Sequence, residues 1–317
     1  GGGRLGTGSR SGTDNHFAGG VLPEAMTDPS SGDPTSDGGV PGEFDDVDPD
    51  AASGDADDPK GTGGSPGIAV ATAIALGVLG PLIVLASGVA IFAIDALVGG
   101  LSLAARVVLA LLFGQYIAFG GLAVGYLAWR GFDRKGIVSY LGVRVPSLKE
   151  IGIILGSWVV ILILIVVVST VVQLIGTETA SNQSAELAMA NPSIIPLFIA
   201  ASFLVIGPCE EILYRGVVQG RLRESLPAAP SIALASGIFA VIHVMALTGG
   251  LSGRLTTITI LFVPSLVFGA VYEYTENLVV PALLHGLHNA VLFTALYVTV
   301  TQVGSDSMPT VLGYLPV

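Results

Sequence analysis

Seven apolar runs, each close to the length that crosses a bilayer, follow one another between residues 68 and 300. They lie at about 68–94, 102–128, 151–175, 194–218, 231–247, 256–272 and 278–300. A hydrocarbon core about 30 Å thick takes about 20 apolar residues of helix to span. Lipid offers the backbone no hydrogen bonds, so continuous runs of this kind predict helices. The strands of a membrane barrel would be shorter and would alternate in polarity. The expected fold class is therefore all-α, a polytopic membrane helix bundle of about seven transmembrane helices.

Composition agrees and divides the chain. Hydrophobic residues make up 51% and charged residues 12%, against about a quarter charged in a soluble domain. Residues 1–60 hold 13 of the 24 acids and three of the 13 basic residues, so they carry nearly all the net charge of −11. A Gly, Asp, Ser and Pro-rich stretch like this buries too little apolar surface to offset its ordering entropy. Residues 1–66 are thus expected to form a disordered acidic tail, solubilising or a docking arm, with 67–317 as the transmembrane domain. No charged leader with a cleavage site precedes residue 60, so the first apolar run is expected to be retained. Neither part carries a basic field, which argues against a nucleic-acid partner. The single cysteine, Cys209, excludes an intrachain disulfide.

Basic residues give the expected orientation. Arg130, Arg134, Lys135, Arg144 and Lys149 cluster between the second and third runs, and Arg221 and Arg223 follow the fourth. Both loops are expected in the cytoplasm of a multi-pass plasma-membrane protein. The acidic tail would then be cytoplasmic, and the stretch 177–192 and the C-terminus outside. Asp95 and Arg106 flank the first outer turn and are expected to reach the interface or each other. Tyr214 and Tyr272 read as interfacial aromatics, and Asn182, Gln183 and Glu186 as a wet loop.

Ionisable groups inside spans are costly and point to function. The first three runs read as almost free of polar groups at depth. The fourth carries Glu210, Glu211 and Arg215, the fifth His243, and the seventh His285, His288 and Asn289. Counted at 1.5 Å per residue, Glu210, His243 and His285 come to a similar level from three helices. Glu211 and Arg215 are four apart with the acid first, the order that pairs along a helix face. Glu210 is turned about 100° from Glu211, so it is expected to be the unpaired acid. Phe239 stands four before His243 and is expected to pack on its ring. His285 and Asn289 share a face, with His288 to the side as a packing or supporting residue. Gly237, Gly269 and Gly286 are expected to let helices approach closely.

A carboxylate and a histidine near one point deprotonate water for attack on a carbonyl. A second histidine and an asparagine amide can stabilise the oxyanion that forms. The set reads as acyl hydrolysis of a peptide bond, in a dry pocket reached from the cytoplasm. Glu210, His243 and His285 are also the ligand types of a zinc site with a water in fourth position, so Zn²⁺ stays open as a cofactor. Cys209 has no neighbour that would lower its pKa and is not expected to be a nucleophile.

Glu210-Glu211-Ile-Leu-Tyr-Arg215 resembles the EExxxR motif of the CPBP family, the type II CAAX prenyl endopeptidase-like membrane proteases. Phe239-Ala-Val-Ile-His243 resembles its FxxxH motif, and His285-Gly-Leu-His-Asn289 its HxxxN motif. Phe268-Gly269, Asn277-Leu278 and Pro281 are similar to the stretch before the last motif. The resemblance spans about residues 193–300. It implies that Glu210 and His243 activate water, that His285 and Asn289 stabilise the oxyanion, and that Glu211 with Arg215 holds the site together. It implies a peptide or protein substrate associated with membrane lipid, prenylated in the CAAX-type members. The family also contains bacteriocin-immunity proteins, and fold alone does not choose among its functions. Two other readings are a non-catalytic membrane scaffold and a proton-coupled transporter. The transporter is disfavoured because no inverted repeat is visible.

Overall fold

The computed structural model describes residues 65–303; the expected acidic tail lies outside them apart from its last two residues. Seven long helices appear where the apolar runs stand: α1 (Pro66–Leu97), α2 (Leu103–Trp129), α4 (Leu148–Leu174), α6 (Pro192–Arg223), α7 (Ala228–Ala246), α8 (Leu251–Thr275) and α9 (Val279–Gln302). Two short helices intervene, α3 (Arg134–Tyr140) and α5 (Gln183–Ala190). Among the described residues there is no β-strand, only an isolated antiparallel bridge between Asn182 and Leu247. The chain is a multi-pass membrane protein with an all-helical fold.

Local chemistry sets the helix starts. Asp133 caps α3 and Asn182 caps α5, each through a side-chain oxygen. Ser147 and Glu150 form a reciprocal capping box at the head of α4. Arg144 adds two bonds to Glu150, at 2.6 and 2.8 Å, and so ties the preceding loop to this helix. α6 runs five residues beyond the expected end because its last turn is amphipathic. Leu222 is buried, while Arg221 bonds Glu224 and Arg223 bonds Glu273. Arg221 and Arg223 thus lie on a helix, not in the loop the sequence suggested. Arg130 and Tyr140 also converge on Glu224. Burial, reinforced by that carboxylate, pushes the Tyr140 phenol well above its usual range, so it stays protonated and donates. At the turn between α1 and α2, Arg106 meets Asp95 at 3.3 Å, one of the two arrangements expected.

The spans differ in their surroundings. α4 is apolar on every side and the least buried of the seven, as a lipid-facing helix should be; α9 is the most buried and forms the centre. α6 and α9 approach so closely that each places a glycine against the other's backbone. A methyl group on Gly207 would sit 2.7 Å from the Ala282 carbonyl oxygen, and one on Gly286 would sit 2.8 Å from the Ser202 carbonyl oxygen. Gly269 is similarly tight against Gln219 and Ile232, whereas the nearest atom to Gly237 is a full 4.0 Å away, so Gly237 does not serve the expected close packing. Gly286→Ala is expected to cost about 1–3 kcal/mol by prying α9 from α6. A thermal midpoint in detergent checks this; an unchanged midpoint would mean the two backbones are free to separate.

Candidate active site

The two glutamates of α6 are both buried but face different neighbours. Glu211, fully buried, takes Arg215 Nη1 on Oε1 at 2.8 Å, the pairing expected from their spacing. Arg215 is held further by α8, donating to Ser265 Oγ at 2.8 Å and to the Ser265 carbonyl at 3.2 Å. Its guanidinium lies between two aromatic rings, 4.5 Å from the centre of Phe239 and 5.3 Å from that of Phe268. A buried cation is tolerable here because a carboxylate, a hydroxyl and two ring faces all receive it.

The same Glu211 oxygen lies 2.8 Å from His285 Nδ1. A carboxylate opposite a ring nitrogen requires that nitrogen to carry the proton. His285 therefore turns Nε2 toward Glu210, whose Oε2 is 3.9 Å away. Its ring is stacked on Phe268, with centres 5.0 Å apart, and meets Phe239 edge-on. His243 closes the last turn of α7. Its Nδ1 donates to the Phe239 carbonyl at 2.6 Å, and its ring packs on Phe239 at 4.5 Å, as the four-residue spacing suggested. Both histidines are thus fixed through Nδ1 and present Nε2.

Glu210, His243, His285, His288 and Asn289 line one chamber of about 160 Å³, together with Phe239, Phe268 and others. The sequence-derived set is therefore assembled from α6, α7 and α9 on one space. Three contributions to the site and its surroundings escaped the sequence reading. Gln115 of α2 donates to Glu210 Oε1 at 2.9 Å, so Glu210 is not without a partner and the second span is not empty of polar groups. Asn182 lines the chamber, Gln183 the groove described next, and Glu186 bonds Thr248, so this stretch is a structured strap and not a wet loop. Ser265 seats Arg215. Tyr214 corrects another expectation: it is fully buried, bonded to the Gly77 carbonyl and packed edge-on against Phe119 and Phe239. Tyr272, partly buried, bonds the Leu141 carbonyl at 3.4 Å, beside the basic loop. Cys209 is buried.

A groove of about 460 Å³ leads away from Glu210 and His243. It runs between α1, α2, the end of α7 and α5, past Val84, Leu85, Leu111 and Leu187. Leu85 is 59% exposed, so the groove reaches the outer apolar surface of the bundle. It opens toward the end that carries Gln183 and Ala246, not toward Arg130–Lys149.

Metal binding was tested against this donor set. Ligating histidines commonly hold Nδ1–H on a carboxylate or carbonyl, as both do here. Yet among the described residues no group of three or more His, Cys, Asp and Glu side chains is arranged to hold a metal ion, and one Glu210 oxygen is occupied by Gln115. Glu210 Oε2, His243 Nε2 and His285 Nε2 are the donors that would hold a zinc ion.

Comparison with known proteins bears on this region. Residues 192–291 match the family model described as type II CAAX prenyl endopeptidase Rce1-like. Searches of curated proteins and of solved structures gave no match. The matched segment begins with α6 and ends two residues past Asn289, so it contains the Glu210–Arg215, Phe239–His243 and His285–Asn289 motifs and leaves out Gln115. Over residues 192–291, about a third of the chain, this membrane protein is similar to the type II CAAX prenyl endopeptidase Rce1-like family.

Proposed function

We propose that this chain is an intramembrane endopeptidase that hydrolyses a peptide bond of a membrane-associated substrate, with water activated by Glu210 and His243. The observation that carries the reading is the convergence of Glu210, His243, His285 and Asn289 on one chamber at the end of an apolar groove. Glu210 Oε2, left free by Gln115, takes a proton from the water. His243 Nε2, fixed by its bond to the Phe239 carbonyl, accepts the water's second hydrogen bond and aims its lone pair. The Asn289 amide donates to the carbonyl oxygen as charge develops there. His285 adds a second donor when its Nε2 is protonated, since Glu211 already holds Nδ1. The proton gathered on Glu210 is then delivered to the departing amine.

The groove suits a substrate that arrives with a hydrophobic chain, and the family's namesake reaction makes a prenylated CAAX-type segment the first candidate. We take the Arg130–Lys149 loop to be cytoplasmic because of its charge. The groove then lies away from it, and its exposed α1 wall lets a lipid-dissolved chain come in sideways. Farnesylated and unprenylated CAAX peptides, supplied to the protein in proteoliposomes, test the reading. Cleavage of the farnesylated peptide in preference to the other is expected, and it should survive exhaustive chelation with no metal detected in the protein. Failure to cleave either peptide would remove the CAAX assignment. Loss of cleavage on chelation, restored by Zn²⁺, would overturn the metal-free scheme.

A further inference from the structure

Of the ten basic side chains among the described residues, eight have a polar partner. Six meet an acid, Lys149 meets the Tyr274 hydroxyl, and Arg254 meets the Gly249 carbonyl. Arg134 and Lys135 are the exceptions. Both are exposed in the first turn of α3, and neither makes a hydrogen bond or ion pair among the described residues. Asp133 beside them is engaged as the helix cap, accepting the Gly136 N–H at 2.7 Å. Two adjacent cations repel each other, and an anion placed against both relieves that repulsion.

The surface next to them is concave and partly apolar. Arg134, Lys135, Val138, Val143 and Arg144 line a hollow of about 580 Å³. Gly142 shapes it. Its φ of +64° reverses the chain, and a methyl group there would sit 1.9 Å from the Glu276 carbonyl oxygen. The reversal brings Val143 and Arg144 back beside α3. Arg144 is fixed in place by Glu150 and the Thr275 carbonyl, yet its side chain stays half exposed. Further along the loop, Val145 and Leu148 are 90% and 91% exposed, and Trp129 at the end of α2 is 82% exposed. The stretch joins the end of one span to the start of the next, which sets it at the level of the lipid headgroups. An exposed tryptophan at a span end is an anchor at that level.

We propose that this hollow binds an anionic phospholipid of the leaflet on the basic-loop side, with Arg134 and Lys135 on its phosphate and Val138 and Val143 against its chains. Arg134 and Val138 are four apart, so the cation and the apolar contact share one face of α3. A guanidinium can take two phosphate oxygens while the lysine ammonium adds a point charge. Anionic lipid is the occupant that fits both halves of the surface. A soluble phosphate ester would leave the valines uncovered, and a zwitterionic headgroup brings an ammonium of its own to the two cations. The site does not depend on the hydrolytic reading of the chamber.

Photolabelling of the full chain tests the proposal. Phosphatidylglycerol and phosphatidylcholine, each with a diazirine on an acyl chain near the headgroup, are supplied separately as a trace in phosphatidylcholine vesicles. Mass spectrometry then maps the adducts. On residues 136–148 the phosphatidylglycerol yield should exceed the phosphatidylcholine yield by about 10–30-fold, the effect of two basic residues at a membrane surface. Elsewhere on the bundle the two yields should be similar. Arg134→Gln combined with Lys135→Gln changes two side chains that hold nothing in the fold, and it should bring the two lipids level on this segment. Arg134→Glu combined with Lys135→Glu should favour phosphatidylcholine. Glycerol 3-phosphate in the buffer should leave the adducts in place. An unchanged preference in the glutamine variant, or no preference in the wild type, overturns the proposal. Displacement by glycerol 3-phosphate also overturns it, and assigns the hollow to a soluble phosphate ester.

Discussion

Glu210→Gln is expected to fold like the wild type and to lose about 10²–10⁴-fold in turnover. The carboxamide has the same shape, and its oxygen can still accept the Gln115 N–H now made to Oε1. Its nitrogen can face His285 Nε2, 3.9 Å from the present Oε2. Little packing is therefore disturbed at a residue that is 8% exposed. What disappears is the carboxylate assigned to take the water's proton, which leaves the His243 imidazole as the one base beside the water. Glu211 is committed to Arg215 and His285, and Asn289 has no basic lone pair to offer. The thermal midpoint and the initial rate, measured on the same preparation, separate the two consequences. A large loss of stability would mean that Glu210 is a packing residue.

The adjacent carboxylate should behave in the opposite way. Glu211→Gln is expected to destabilise the protein by about 3–5 kcal/mol, the cost of stranding a buried charge without its counter-ion. Glu211 has no exposure, and one of its oxygens receives both Arg215 and His285 at 2.8 Å. Without that charge, Arg215 remains between Phe239 and Phe268 with only Ser265 to meet it. The double variant Glu211→Met, Arg215→Met should recover much of the lost stability, because an apolar pair of similar volume removes the unpaired charge. It should still be inactive, since His285 would have lost the anchor on Nδ1. Thermal unfolding of both single variants and the double variant measures the coupling. Additive losses would show that the two side chains do not depend on each other.

Much of this site was legible in the chain because it is written at helical spacing. Glu211 and Arg215, Phe239 and His243, and His285 and Asn289 are each four residues apart, and each pair lies on one helix face in the structure. The span positions were legible for a similar reason: lipid leaves the backbone only helix, so apolar length maps directly onto structure. Gln115 was not legible in the same way. A single amide among apolar neighbours gives no periodic signal, and its direction depends on the π-wound turn around it. Tyr214 was misplaced because its count from the helix end suggested an interface. The close passage of α1 at Gly77 instead covers it and receives its hydroxyl.

In the proposed reaction, a water molecule held by Glu210 and His243 cuts a peptide bond inside the bundle. Cleavage of a farnesylated CAAX peptide in H₂¹⁸O, by wild type and Glu210→Gln in matched proteoliposomes, tests it most directly. Wild type is expected to release a fragment whose new C-terminal carboxyl carries one solvent oxygen, and Glu210→Gln to lower this release by about 10²–10⁴-fold. Equal release by the two proteins would contradict it.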